Sequence, residues 1–178
     1  MDDTLVMPLP AVRQDSGIEF ESLYRTSRDD IYAYVASLLR DSSLAEDVTA
    51  TAFERAYRRR RSFAPRRGTP RAWLFGIARN AALDELRRRK RSASLSWEIG
   101  SPDEEPPDER ADVEVRRTTV REALARLTSR ERDLVALKFH GGLTNSELAH
   151  VLHTSETNAG TMLHRTIKKL REACDEKQ

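Results

Sequence analysis

From Phe20 the apolar residues Phe20, Leu23, Tyr24, Ile31, Tyr32, Val35, Leu38 and Leu39 recur at intervals of three and four. That spacing puts them on one side of a 3.6-residue helix and predicts one or two amphipathic helices. Asp41, Ser42 and Ser43 then offer N-cap oxygens to a second helix carrying Leu44, Val48, Ala52, Phe53, Ala56 and Tyr57. Pro65, Gly68 and Pro70 forbid a helix between Ser62 and Arg71, so a loop is expected there. A third helix follows with Trp73, Leu74, Ile77, Ala78, Ala81 and Leu86 on one face. With 38% hydrophobic, 34% charged and only 6% aromatic residues in 178, such helices can fill thin cores but not a thick sandwich or barrel.

The pattern divides the chain. Residues 1–17, with Pro8, Pro10 and Gly17, show no sustained period and read as a flexible tail. Residues 18–91 form a first helical domain. Residues 92–115 hold Gly100, Pro102, Pro106 and Pro107 among acids, too polar to offset the entropy of ordering, and read as a flexible acidic linker. Residues 116–174 form a second domain, in which Val120, Leu124 and Leu127 restart the period. Thr128 with Glu131, and Thr144 with Glu147, fit capping boxes. Gly141 and Gly142 break the chain between the helices that these boxes open. Thr154 and Ser155 start a last helix whose seam is expected at Leu163, Ile167 and Leu170. The fold class is all-α, in two small domains.

A net charge of +2 conceals strong polarity. From Arg55 to Arg91 there are fourteen Lys or Arg against Asp84 and Glu85, whereas Glu98 to Glu114 holds eight acids against Arg110. A field that positive suits a polyanion, most commonly nucleic acid. Tyr57, Phe63 and Trp73 are interleaved with these arginines, a mixture that can hold an unstacked single strand. Trp73 shares the spacing of Ile77 and Ala81 and is expected in the core, whereas Phe63 is freer to touch DNA. In the second domain a short capped helix, a tight turn at His153 to Ser155 and a longer helix have the layout of a helix-turn-helix. Residues near the start of that last helix, Ser155, Glu156, Asn158 and Thr161, are placed to reach base edges. His164, Arg165 and Lys168 lie further along, the last two suited to phosphates.

Catalytic and metal chemistry find no residues. The single cysteine, Cys174, excludes an intrachain disulfide and a multi-cysteine zinc site. His150 and His153 stand three apart without a third ligand, and no nucleotide-binding or hydrolase motif occurs. No enzyme, no metal and no cofactor are therefore expected. Absence of a basic leader and of any long apolar run predicts a cytoplasmic protein without membrane insertion. From the residues alone, a one-component helix-turn-helix regulator and a nucleic-acid-processing enzyme remain alternatives.

Three stretches then resemble a known whole: the Leu44 to Tyr57 string LAEDVTATAFERAY, the Trp73 to Arg89 string WLFGIARNAALDELRRR and the Leu127 to Leu137 string LTSRERDLVAL. Together they resemble regions 2 and 4 of extracytoplasmic-function (group 4) sigma factors of the sigma-70 family. The resemblance implies a region 2 helical bundle and a region 4 helix-turn-helix, and an alternative sigma factor that helps melt promoter DNA without hydrolysis. Glu46, Asp47, Phe53 and Arg55 would meet the beta-prime clamp helices of core RNA polymerase. Phe63, Arg66, Arg67, Arg79, Asn80, Asp84, Arg87 and Arg88 would serve the minus-10 element. Ser155, Glu156, Asn158, Thr161, His164, Arg165 and Lys168 would serve the minus-35 element. Contact with the beta flap and regulation by an anti-sigma factor are further implications. The chain departs from the pattern at Ala50 and Thr51, where a Gln-Glu pair is usual, and at Gly160 and Met162, where basic residues are frequent. His153 stands where a turn glycine is common, which predicts a slightly reshaped turn.

Overall fold

Helix α1 (Phe20–Leu39) opens a three-helix unit, closed by α2 (Ser42–Arg59) and α3 (Pro70–Ala93). The structure is a computed structural model that describes residues 18–93 and 111–176, leaving aside the side chains of Arg67, Ala93 and residues 111–117. The first-domain period is one continuous helix of 20 residues, with Leu23, Ile31, Tyr34, Val35 and Leu39 buried. Tyr34, which the apolar count passes over, is the largest fully buried side chain. Asp41 caps α2 by accepting the Leu44 N–H at 2.9 Å. That bond, and then Arg89, hold its carboxyl below the usual range.

Two 3-10 turns, Arg60–Ser62 and Pro65–Arg67, fill the interhelical loop. Pro70 then starts α3, where its missing N–H costs nothing, and the Thr69 hydroxyl accepts from the Ala72 N–H at 3.2 Å. Helix α3 buries Ala72, Leu74, Phe75, Ile77, Ala78, Ala81 and Ala82. These positions run well round its circumference because α1 and α2 cover one side and the second domain another. The four alanines leave room for close helix approach.

The second unit contains α4 (Ala111–Ala125), α5 (Ser129–Phe139), α6 (Asn145–Leu152) and α7 (Glu156–Asp175). Helix α3 thus runs past residue 91, and α4 begins inside the span assigned to the acidic linker. The remaining linker residues, 94–110, and the tail 1–17 lie outside the described residues. Both capping boxes form reciprocally. The Thr128 and Thr144 N–H groups donate to Glu131 and Glu147 at 2.7 and 2.9 Å, and the Glu131 and Glu147 N–H groups donate back at 3.3 and 3.2 Å. Val120 is half exposed; Ala123 and Leu127 take the buried positions.

The α7 seam differs from the sequence expectation. Ala159, Thr166 and Ala173 are buried, whereas Leu163, Ile167 and Leu170 are half-buried. The small residues bring α7 close, and Leu163 and Ile167 border an open groove of about 510 Å³ beside His164 and Lys168. The turn at His153 also keeps its ordinary shape. His153 adopts φ 53° and ψ 51°, and the Thr154 N–H donates to the Ala149 carbonyl at 2.9 Å, a left-handed closure normally given to glycine. An L side chain there is strained. His153→Gly is expected to raise stability by about 0.5–1 kcal/mol. Urea unfolding should show a higher midpoint at unchanged slope; a lower midpoint would mean that the imidazole makes a compensating contact.

The two units share a continuous core, in which Leu134, Leu137, Leu143 and Leu148 join the cluster built on α1 to α3. Three polar joints accompany it. Asp133 on α5 accepts from the Tyr34 hydroxyl at 2.8 Å and from Arg79 Nε at 2.7 Å. Arg71 donates to the Gly141 and His140 carbonyls at 2.8 and 3.2 Å and pairs with Asp30 at 2.7 Å. The Thr69 hydroxyl donates to Glu147 at 2.5 Å.

Burial works against ionising Glu147, but hydrogen bonds from Thr69 and the Thr144 backbone outweigh it and hold the carboxyl below its usual range. The Thr128 backbone and Lys169 do the same for Glu131. A carboxyl depressed on folding stabilises above its unfolded value, about pH 4.3, and that stability is lost as pH falls through the lower folded value. The Tm should therefore drop below about pH 4.3, and less steeply in Glu147→Gln, as calorimetry across pH would show.

Candidate functional site

The candidate site is a surface in three parts, each carried by one helix. On α2, Glu46 and Asp47 are exposed, whereas Phe53 is only 6% exposed. Phe53 packs edge-on against Phe20 and Tyr24 at 6.5 and 4.8 Å, so it shapes this face from beneath. Arg55 pairs with Asp84 on α3 at 3.4 Å, tying two residues assigned to different partners. Beside Glu46 a groove of about 630 Å³ is lined by Tyr24, Arg28, Tyr32, Thr49 and Phe53. The buried Thr49 hydroxyl has no hydrogen-bond partner among the described residues. Tyr57, half exposed under the Arg60 guanidinium at 4.0 Å, extends the aromatic edge.

On α3 the arginine-rich face holds Asn80, Asp84, Arg87 and Arg88 exposed, with Arg66 exposed on the preceding loop. Arg87 pairs with Asp84 at 3.3 Å and Arg88 with Glu85 at 2.7 Å. The Arg87–Asp84 pair, exposed on both sides, contributes only about 0–1 kcal/mol and exchanges readily for another anion, whereas Glu85 is largely covered. The side chain of Arg67 lies outside the described residues. Two residues depart from the expected arrangement. Phe63 is 8% exposed and packs edge-to-face on the half-buried Trp73 at 5.7 Å, so its ring is an anchor for the loop and not a free contact. The Arg79 side chain is 19% exposed, because its guanidinium faces Asp133.

All seven predicted residues, the N-cap Ser155 and, on α7, Glu156, Asn158, Thr161, His164, Arg165 and Lys168, are exposed. Ser155 also caps the helix, accepting the Asn158 N–H at 3.2 Å, and the Asn158 amide donates to Thr154 at 2.6 Å. The helix N-terminus and the later cations together favour an anion on this face. Helix α7 runs unbroken through Gly160, where an added Cβ would meet only Asn145 Nδ2 at 3.4 Å.

The joint between the units was missed by sequence reasoning. Its one signal is Asp133, four residues before Leu137 and hence on the same buried helical face. The buried Tyr34 phenol is pushed well above its ordinary range by burial and by the Asp133 carboxylate, so it stays a donor. Among the described residues, no group of three or more His, Cys, Asp or Glu side chains gathers in metal-binding array. No described helix is long and apolar enough to cross a membrane.

Residues 23–92 match the family described as Sigma-70 region 2, and residues 117–170 match Sigma-70, region 4. The chain is 28% identical over 152 residues to the ECF RNA polymerase sigma factor SigM of Bacillus subtilis, covering 85% of this chain and 92% of that protein. It is 28% identical over 152 residues to the ECF RNA polymerase sigma factor SigL of Mycobacterium tuberculosis, covering 84% and 85%. In fold it is similar to the sigma factor RpoE of Bartonella quintana, solved with the anti-sigma factor NepR, at a TM-score of 0.73 and 20% identity over 88% of this chain and 96% of that one. It is also similar to CnrH, solved with the cytosolic domain of CnrY, at a TM-score of 0.64 and 22% identity over 89% of each chain. The two matched regions span more than half of the chain, and in their order, with the helices and basic faces described above, they make it a member of the sigma-70 family of RNA polymerase sigma factors, in the extracytoplasmic-function group.

Proposed function

We propose that this alternative sigma factor divides transcription initiation among its three helical faces. The exposed acids Glu46 and Asp47, with the Tyr24–Phe53 groove beside them, dock on the clamp helices of core RNA polymerase. Helix α3 and the loop before it receive the opened minus-10 element through Arg66, Asn80, Arg87, Arg88 and, once released, Arg79. Helix α7 reads the minus-35 element in duplex form, with Arg165 and Lys168 on phosphates and the residues near its start toward base edges. The observation that carries this division is the exposure of all seven predicted residues on α7 and its N-cap, a separate helix from the arginine-rich face of α3.

Melting on this reading draws on binding energy. An unstacked base costs a few kcal/mol, which cation contacts to the strand and a pocket for the base can return. No hydrolytic residue is needed, so the chain acts without catalysis of its own, in the cytoplasm where polymerase works. An anti-sigma factor is the expected regulator, a reading supported by the structural relative RpoE, which was solved with the anti-sigma factor NepR.

The test is a gel shift on a fork-junction DNA pool with duplex minus-35 and single-stranded minus-10 segments. The chain with core polymerase should select a subset of non-template sequences, and core alone none. Equal selection without core polymerase, or no selection with it, would overturn the proposal.

A further inference from the structure

The groove of about 630 Å³ beside Glu46 is lined by three aromatic rings, Tyr24 and Tyr32 on α1 and Phe53 on α2. Tyr24 is 40% exposed, and the exposed Ala50, with no side chain beyond Cβ, leaves the α2 side open. Arg28 lines the groove as a donor, and so does Thr49, whose buried hydroxyl has no partner among the described residues. An aromatic-lined groove with a few donors is a recurring receptor for a polyproline-type strand. Prolines pack on the rings, ordering costs little because the strand is already extended, and its carbonyls, free of internal hydrogen bonds, accept from the groove.

The chain carries such a strand itself: Val6-Met-Pro-Leu-Pro-Ala11, seven residues before Ile18. Ile18 and Phe20 pack against the core, and the Phe20 ring meets Phe53 at 6.5 Å, so residues 1–17 join the body at the edge of this aromatic face. Tyr24 and Tyr32 are two helical turns apart, or about 12 Å. A polyproline strand the length of Val6 to Ala11 covers about 19 Å. The residues between Ala11 and Ile18 can span about 20 Å, enough to turn back at Gly17 and lead the strand along α1.

We propose that Val6 to Ala11 seat in this groove, antiparallel to α1, with Pro8 and Pro10 against the rings of Tyr24, Tyr32 and Phe53. A strand carbonyl gives the Thr49 hydroxyl the acceptor it lacks. The groove is the one assigned to core polymerase, so strand and polymerase compete for it. That consequence rests on the polymerase assignment; the seat of the strand does not.

The test uses the full-length chain with Cys174→Ser, so that Thr4→Cys and Ser37→Cys carry the only spin labels. Pulsed electron resonance should give one narrow distance population. It should broaden when Pro8→Ser, Leu9→Ser and Pro10→Ser are added together, and equally when Ala50→Leu puts a side chain into the groove. Both changes lie outside the core, and circular dichroism should confirm unaltered helix content. An equally broad distribution in all three chains would overturn the inference. So would a narrow population that vanishes on dilution with unlabelled chain, since the strand would then come from a second copy. Affinity for core polymerase is measured on the unlabelled chain: the triple variant should bind about tenfold more tightly, as when a groove free about a tenth of the time becomes free throughout. A narrow population with unchanged affinity would uphold the seat of the strand and overturn the assignment of the groove to polymerase instead.

Discussion

Phe75→Ala is expected to cost the folded chain about 3–5 kcal/mol, the usual range for emptying a fully buried phenylalanine site. Phe75 is 0% exposed, its ring meets Tyr34 at 5.5 Å, and the Arg71 guanidinium lies over it at 5.2 Å. It therefore supports both the first-domain core and two of the residues that hold the second domain. The site is lined by helices that are already close, with alanines at 72, 78, 81 and 82, so collapse can recover little of the lost volume. Guanidinium unfolding should show a large fall in midpoint. It should also show whether the two domains still unfold together, because a shared core makes one transition and a severed joint makes two. A loss under about 1 kcal/mol would contradict the packing described here.

The second large effect is on initiation. The double substitution Arg79→Ala and Asn80→Ala is expected to leave association with core polymerase unchanged and to lower promoter opening by about a hundredfold, the equivalent of two lost polar contacts to DNA at roughly 1–2 kcal/mol each. Association is spared because Glu46 and Asp47 lie on α2. Asn80→Ala alone separates the roles, since Asn80 is exposed and takes no part in the Asp133 joint. It should lose about tenfold in opening while the free chain keeps its compactness. Permanganate reactivity of minus-10 thymines in the polymerase complex measures opening, and co-migration with core polymerase measures association.

What the sequence made legible was local. Both capping boxes depend on residues three apart and form as read, and the helix breaks at Pro65 and Gly68, although α3 already starts at Pro70, inside the span read as loop. The spacing of the α2 and α3 apolar positions likewise predicted most of the buried faces. The joint between the domains was not legible, because Tyr34 and Asp133 are 99 positions apart and Arg79 and Asp133 are 54 apart. No period in either segment announces that a tyrosine and an acid will meet.

Phe63 and the α7 seam failed for a related reason. Whether a loop aromatic is free depends on what lies under it, here Trp73, and whether leucines or alanines make a seam depends on how near the partner helix comes. At His153 a glycine preference suggested a reshaped turn, yet the backbone takes the left-handed conformation with the side chain present. The cost of about 1–2 kcal/mol is within what the surrounding caps and burial can carry.

The central claim, that this chain directs core RNA polymerase to promoters, is tested most directly by run-off transcription with purified core polymerase and a library of promoter fragments. The chain and core together should give discrete transcripts from a subset of fragments, and neither alone should do so. Failure to associate with a compatible core enzyme, alongside sequence-specific duplex binding by the chain alone, would contradict the account and leave an ordinary helix-turn-helix regulator.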